Sequence, residues 1–91
     1  MKKQIKLSIT GCMGRMGQQL IKTTKKDKGF KINSLTEYRN INKKINGIKP
    51  QLNTEEAIKN TDVIIDFTIP KCTFEVLKIA SKLKKRVVIG T

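Results

Sequence analysis

Ile5, Leu7 and Ile9 alternate with Lys6, Ser8 and Thr10. A period of two in β-branched and aliphatic residues predicts a strand over 5–10. Beyond it, Met13, Met16, Gly17, Leu20, Ile21 and Thr24 recur at helical spacing and predict a helix over about 15–26. Lysines crowd the C-terminal end of that helix, where its dipole favours them, and Gly29 is a candidate stop. Phe30 to Thr36 reads as a second strand, with Glu37 at its end. Tyr38 to Gln51 is polar and rich in Asn and Lys. It reads as a loop with room for a short edge strand near Ile48, since Pro50 is tolerated only at an edge or end. Asn53 is placed to cap a short helix of about 54–60, with Glu56 three residues on completing a capping-box-like pair. Asp62 to Phe67 is a nearly continuous apolar run, which suits a strand covered on both faces. Thr68, Ile69 and Pro70 form a turn, and Pro70 fits the first turn of a helix. Val76, Leu77, Ile79, Ala80 and Leu83 carry that helix to about Lys84, and Arg86 to Gly90 reads as a last strand.

Strands and helices therefore alternate, which implies parallel pairing with right-handed crossovers. The turn between the first strand and the first helix adds chemistry. Gly11, Gly14 and Gly17 sit three apart. Such spacing lets backbone approach a phosphate and lets a helix pack tightly on its strand, while the helix N-terminus offers N–H groups to an anion. Glu37 lies twenty positions after Gly17, where a carboxylate can accept hydrogen bonds from a ribose. The expected fold is α/β: a Rossmann-type doubly wound parallel sheet, ordered 3-2-1-4-5, incomplete and truncated after the fifth strand. Residues 1–91 would form a dinucleotide-binding domain, and the VVIGT ending reads as an interrupted sequence.

Around that turn, a pyrophosphate is expected on the N–H groups of Met13 and Gly14. Arg15 can reach a phosphate or remain a solvated helix residue. Met16 reads as packing more than as ligand contact, and Cys12 as a small spacer within the turn. Glu37 would repel a 2′-phosphate and favour NADH, whereas Arg39 can pair with one and favour NADPH. Tyr38 between them can stack on adenine or stand at the surface. Phe67 and Thr68 would lie at the same sheet edge, beside the cofactor. Asp66 is either an end-of-strand polar group or the organiser of the turn that follows. Cys72 reads as helix packing.

Composition narrows the chemistry further. The 91 residues hold no histidine and two cysteines without metal spacing, which argues against a zinc site or a Cys–His nucleophile. A formal net charge of +13 raises a nucleic-acid or acidic-membrane surface. Only three of the twenty basic residues are arginines (Arg15, Arg39 and Arg86), aromatics are few, and the charge is dispersed, so the pattern fits solvated lysines better. No run of apolar residues is long enough to span a membrane, and the expected setting is cytoplasmic.

Three motifs together resemble the amino-terminal half of the bacterial dihydrodipicolinate reductase (4-hydroxy-tetrahydrodipicolinate reductase) family. The family's G-A-x-G-R-M-G turn is matched by Gly11-Cys12-Met13-Gly14-Arg15-Met16-Gly17, and its D-F-T/S-x-P segment by Asp66-Phe67-Thr68-Ile69-Pro70. Its V-I-G-T-T-G segment is matched as far as Val88-Ile89-Gly90-Thr91. The resemblance implies an NADH- or NADPH-dependent reductase of diaminopimelate and lysine biosynthesis, acting on a small cyclic substrate as a cytoplasmic homotetramer. It implies cofactor contacts at Gly11, Cys12, Met13, Gly14, Arg15, Met16, Glu37, Gly90 and Thr91. Tyr38 stands where many members carry an arginine, and Arg39 follows it. The family's histidine-containing motif and catalytic lysine have no counterpart here, so the 91 residues alone are expected to be inactive. Another two-domain dehydrogenase, a regulatory nucleotide sensor and a small basic nucleic-acid-binding module are the competing readings.

Overall fold

The structure, a computed structural model, describes residues 3–90. Five parallel strands form one sheet: β1 (Ile5–Thr10), β2 (Phe30–Glu37), β3 (Gln51–Leu52), β4 (Val63–Asp66) and β5 (Arg86–Ile89). Their order is β3-β2-β1-β4-β5, as the alternating pattern predicts. Three helices connect them: α1 (Arg15–Lys26), α2 (Glu55–Ile58) and α3 (Pro70–Leu83). Strand β1 is central because its even and odd positions are both buried: Leu7, Ser8, Ile9 and Thr10 are 4% exposed or less.

The strand parity assigns the two faces. Ile9 and Leu35 pack under α1 with Cys12 and Ile21, helped by Leu20 and Ile32. Ile64 packs on the other face with Ala57 and Ile58 of α2 and Val76 and Ala80 of α3. Between β1 and β2 this second face is polar. The Ser8 and Ser34 hydroxyls lie 2.5 Å apart, Ser8 also meets the Thr61 hydroxyl, and Asn33 Nδ2 donates to Thr61 Oγ1 at 2.9 Å. The pairing slips by one residue here, from Leu7↔Ile32 to Ser8↔Ser34, leaving Asn33 as an extra residue on β2.

Several boundaries differ from the sequence expectation, each for a local reason. The cap of α2 is Thr54, not Asn53. Its Oγ1 accepts the Ala57 N–H at 3.2 Å, and the helix runs only over Glu55–Ile58. The edge strand lies after Pro50 rather than near Ile48. Asn46 and Gly47 take positive φ values of 51° and 79° and close a tight turn. Ile45 and Ile48 exchange backbone hydrogen bonds of 2.8 and 3.0 Å across it. Asn-Gly is the dipeptide that such a turn favours, so the signal was present in the sequence. The turn presses Ile45 and Ile48 against the α1 core. Helix α1 ends at Asp27, whose carboxylate accepts the Gly29 N–H at 2.8 Å, so Gly29 follows the stop rather than making it.

At the end of α3, Lys84 takes a left-handed conformation (φ 56°) while the Lys85 N–H reaches Ala80 O at 2.8 Å. A lysine there carries a steric cost that glycine avoids. Lys84→Gly is expected to raise stability by about 0.5–1 kcal/mol, read as a few degrees in thermal midpoint. An unchanged or lowered midpoint would contradict the left-handed cap.

Candidate functional site

The chain turns from β1 into α1 through Gly11, which has a φ of 73°. A Cβ there would also lie 3.0 Å from the Phe67 backbone, so the turn after β1 abuts the turn after β4. Gly17 serves contact rather than conformation: a Cβ would stand 2.4 Å from Gly11 O and 2.9 Å from Cys12 Cα. Gly14 differs from both. Among the described residues its added Cβ would meet only Gly11 O, at 3.4 Å, so none of them requires glycine there. The space beside it opens into a crevice of about 260 Å³.

Gly11, Met13, Gly14, Glu37, Arg39, Phe67 and Thr68 all line that crevice, so the structure brings together seven of the residues singled out from the sequence. It lies beyond the carboxyl ends of β1, β2 and β4, where the sheet's winding reverses between β1 and β4. Tyr38 and Ile69 complete the lining; Tyr38 is 62% exposed and the Arg39 guanidinium sits 6.0 Å from its ring centre. A second depression of about 320 Å³ adjoins the crevice, shares Met13 and Arg39 with it, and adds Asn40, Asn42 and Lys43.

Some expected residues stand elsewhere. Cys12 is fully buried and packs with Ile9, Ile21 and Leu35, the position of a spacer. Its thiol is pushed up to about 11, first by burial and then by the nearby Glu37 charge, so it stays protonated and unreactive near neutral pH. Met16 does not pack: it is 57% exposed at the start of α1, next to the exposed Arg15. Gly90 lies under the Phe67 ring, where any Cβ would collide with it, and its N–H donates to Asp66 O at 2.8 Å. Thr91 lies outside the described residues.

The amides of the turn are distributed unequally. Gly11 and Cys12 donate to Thr36 O at 3.0 and 3.3 Å, and Gly14 donates to Gly11 O at 3.0 Å. The Met13 N–H donates to Glu37 Oε2 at 2.8 Å. The two N–H groups expected under a pyrophosphate are thus already engaged. Gln18 is the first helical residue to reach back, to Gly14 O at 3.0 Å, which leaves the Arg15, Met16 and Gly17 amides as the helix's own donors.

Asp66, whose role the sequence left open between two readings, organises the facing turn. It is fully buried and accepts from the Thr10 hydroxyl, from Thr68 Oγ1 at 2.6 Å, from the Thr68 N–H at 3.2 Å and from Thr73 Oγ1 at 2.5 Å. Thr10 and Thr73 were not identified from sequence. Their signal is positional: Thr10 pairs with Asp66 in register, and Thr73 lies one helical turn after Ile69. The Thr68 hydroxyl therefore points inward, and only its remaining surface is offered to the crevice.

A crevice at the reversal of a parallel doubly wound sheet, closed by a glycine turn and an acidic strand end, belongs to a Rossmann-type domain. Within that class the family model described as "Dihydrodipicolinate reductase, N-terminus" matches residues 5–91, and the chain belongs to that family. It is 66% identical over 89 residues to the 4-hydroxy-tetrahydrodipicolinate reductase of Pelagibacter ubique (strain HTCC1062), covering 98% of this chain and 34% of that protein. The chain spans about a third of the length of the curated relatives it matches. Among solved structures, a dipicolinate-bound dihydrodipicolinate reductase from Paenisporosarcina sp. TG-14 superposes with a TM-score of 0.80 at 24% identity, over 98% of this chain and 38% of that one. A Rex-family repressor superposes with a TM-score of 0.85 at 16% identity, over 98% and 46%. At these identities the superpositions speak for the fold alone. Among the described residues no helix is long and apolar enough to cross a membrane.

Two outcomes follow from the geometry. Gly17→Ala should cost about 1–3 kcal/mol or more, because backbone must move to admit the methyl, whereas Gly14→Ala should stay within about 1 kcal/mol of the parent in thermal or denaturant unfolding. Equal losses would refute the distinction. For Asp66, burial on its own raises the carboxyl, but the hydrogen bonds from Thr10, Thr68 and Thr73 outweigh it and hold it below the ordinary carboxylate value. A lowered folded-state value stabilises the fold above the unfolded-state pKa and loses that stabilisation as pH falls through the folded-state value. Thermal midpoints should therefore drop more steeply below about pH 4 in the parent than in Asp66→Asn. Parallel slopes would show that the carboxylate contributes nothing.

Proposed function

We propose that this chain is the cofactor-binding part of an NAD(P)H-dependent reductase that converts 4-hydroxy-tetrahydrodipicolinate to tetrahydrodipicolinate in diaminopimelate and lysine biosynthesis. The observation that carries the reading is Gly14. A glycine that none of the described residues requires borders an open crevice, beside the first amides of α1. That is the fit expected for a pyrophosphate laid against a helix N-terminus. The Arg15, Met16 and Gly17 amides would hold the pyrophosphate, Glu37 the adenosine ribose, Tyr38 and Ile69 the adenine, and Phe67, Thr68 and Gly90 the approach to the nicotinamide. The bound cofactor supplies hydride; the chain supplies position and charge.

The arrangement also bears on which dinucleotide is taken. Glu37 turns one carboxylate oxygen to the Met13 amide and is only 5% exposed, while Arg39 and Lys43 line the adjoining depression. Arg39 and Lys43 would be the cations to hold a 2′-phosphate there, beside a Glu37 carboxylate already engaged by a hydrogen bond. NADPH is therefore accepted alongside NADH. Substrate-binding and tetramer-forming elements are assigned to the rest of a longer cytoplasmic protein, which matches the share of the relatives that this chain covers.

Titration against the fluorescence of NADPH and NADH tests the reading. Both should bind with dissociation constants on the order of 1 μM to 1 mM. Arg39→Ala should weaken NADPH about tenfold and NADH little, the usual loss for one charge-assisted contact. A folded chain that binds neither dinucleotide at millimolar concentration would overturn it.

A further inference from the structure

Three successive amides of the glycine turn, those of Gly11, Cys12 and Met13, are held by the end of β2. Thr36 O takes the first two and Glu37 Oε2 the third. The backbone acceptor comes from any residue at position 36; the third acceptor comes from the Glu37 side chain alone. Glu37 is buried to 5% exposure with one carboxylate oxygen committed inward. Met13 immediately precedes Gly14, both line the crevice, and the Met13 carbonyl is held by Gln18 Nε2 at 2.9 Å. The peptide groups on both sides of Met13 are thus fixed by side chains, one from β2 and one from α1.

We propose that Glu37 is a positioning residue: its carboxylate sets the Met13 peptide and so the shape of the phosphate-binding turn, in addition to facing a ribose. The inference rests on the dinucleotide reading above but assigns Glu37 an effect that does not pass through the ribose. A purely ribose-binding carboxylate would matter for selectivity between dinucleotides. A carboxylate that shapes the turn matters for every ligand whose phosphate rests on it. An amide in its place keeps one oxygen acceptor for the Met13 N–H, while the charge is lost and the second oxygen becomes an NH2 donor.

The test uses Glu37→Ala and Glu37→Gln in the full chain, with NADH and NADPH titrations and amide hydrogen exchange of the 11–17 segment. Glu37→Ala should weaken both dinucleotides by about tenfold or more and speed exchange at Met13, since a charge-assisted hydrogen bond is removed. Glu37→Gln should keep NADPH within about threefold and leave Met13 exchange close to the parent. The proposal is overturned if Glu37→Ala loses NADH alone, or leaves exchange at Met13 unchanged, or if Glu37→Gln fails to rescue it. If the parent binds neither dinucleotide, the cofactor reading fails and Met13 exchange still decides whether Glu37 holds the turn.

Discussion

Helix α1 begins so close to the turn that follows β1 that no side chain fits between them. A methyl group on Gly17 would lie 2.4 Å from the Gly11 carbonyl oxygen. That contact sets where α1 sits, because the helix is pinned at its first turn and then packs down the sheet through Ile21 and Thr24. It also sets where the helix dipole points, since the free N-terminal amides emerge directly over the carboxyl end of β1. Gly11, the other member of the contact, abuts the Phe67 backbone. One close approach therefore registers the helix against the strand and both against the neighbouring turn.

Polar side chains do the corresponding work on the opposite face. Most buried groups between β1, β2 and β4 are hydroxyls and one carboxylate, gathered in two clusters around Ser8 and Asp66. Such clusters are costly to bury and stabilise only when each member is satisfied. Asp66 meets that condition with four donors. Among the described residues, the buried Thr36 Oγ1 and Asn53 Oδ1 have no hydrogen-bond partner. The benefit is directional: an apolar core tolerates sliding, whereas Asp66 binds Thr10, Thr68 and Thr73 in one geometry and so fixes the turn that faces the glycines.

The fold does not choose the activity. A Rex-family repressor superposes on this chain better than the reductase from Paenisporosarcina does, at lower identity. What separates such proteins is carried by residues at the crevice rather than by the sheet. Membership of the reductase family follows from the match of the sequence over residues 5–91, while the superpositions add only architecture.

Much of this was legible in the residues themselves. Alternation in Ile5–Thr10, helical recurrence over Arg15–Lys26 and the apolar run after Asp62 were enough for the strand order, because parallel crossovers have one hand and few arrangements. The three glycines were legible as a turn, and the motifs as a family. Local sequence was less able to separate neighbouring candidates, so Thr54 rather than Asn53 caps α2, and the Asn46–Gly47 turn displaces the edge strand to Gln51. Only the tertiary structure decided which glycine serves the chain and which leaves space, and which amides remain free. It decided too that Met16 is exposed and Cys12 buried, and that Glu37 turns toward Met13. The Glu37–Met13 contact joins segments more than twenty residues apart, and the glycine contacts depend on how the turn folds back on itself; a one-dimensional pattern carries periodicity and spacing but not these approaches.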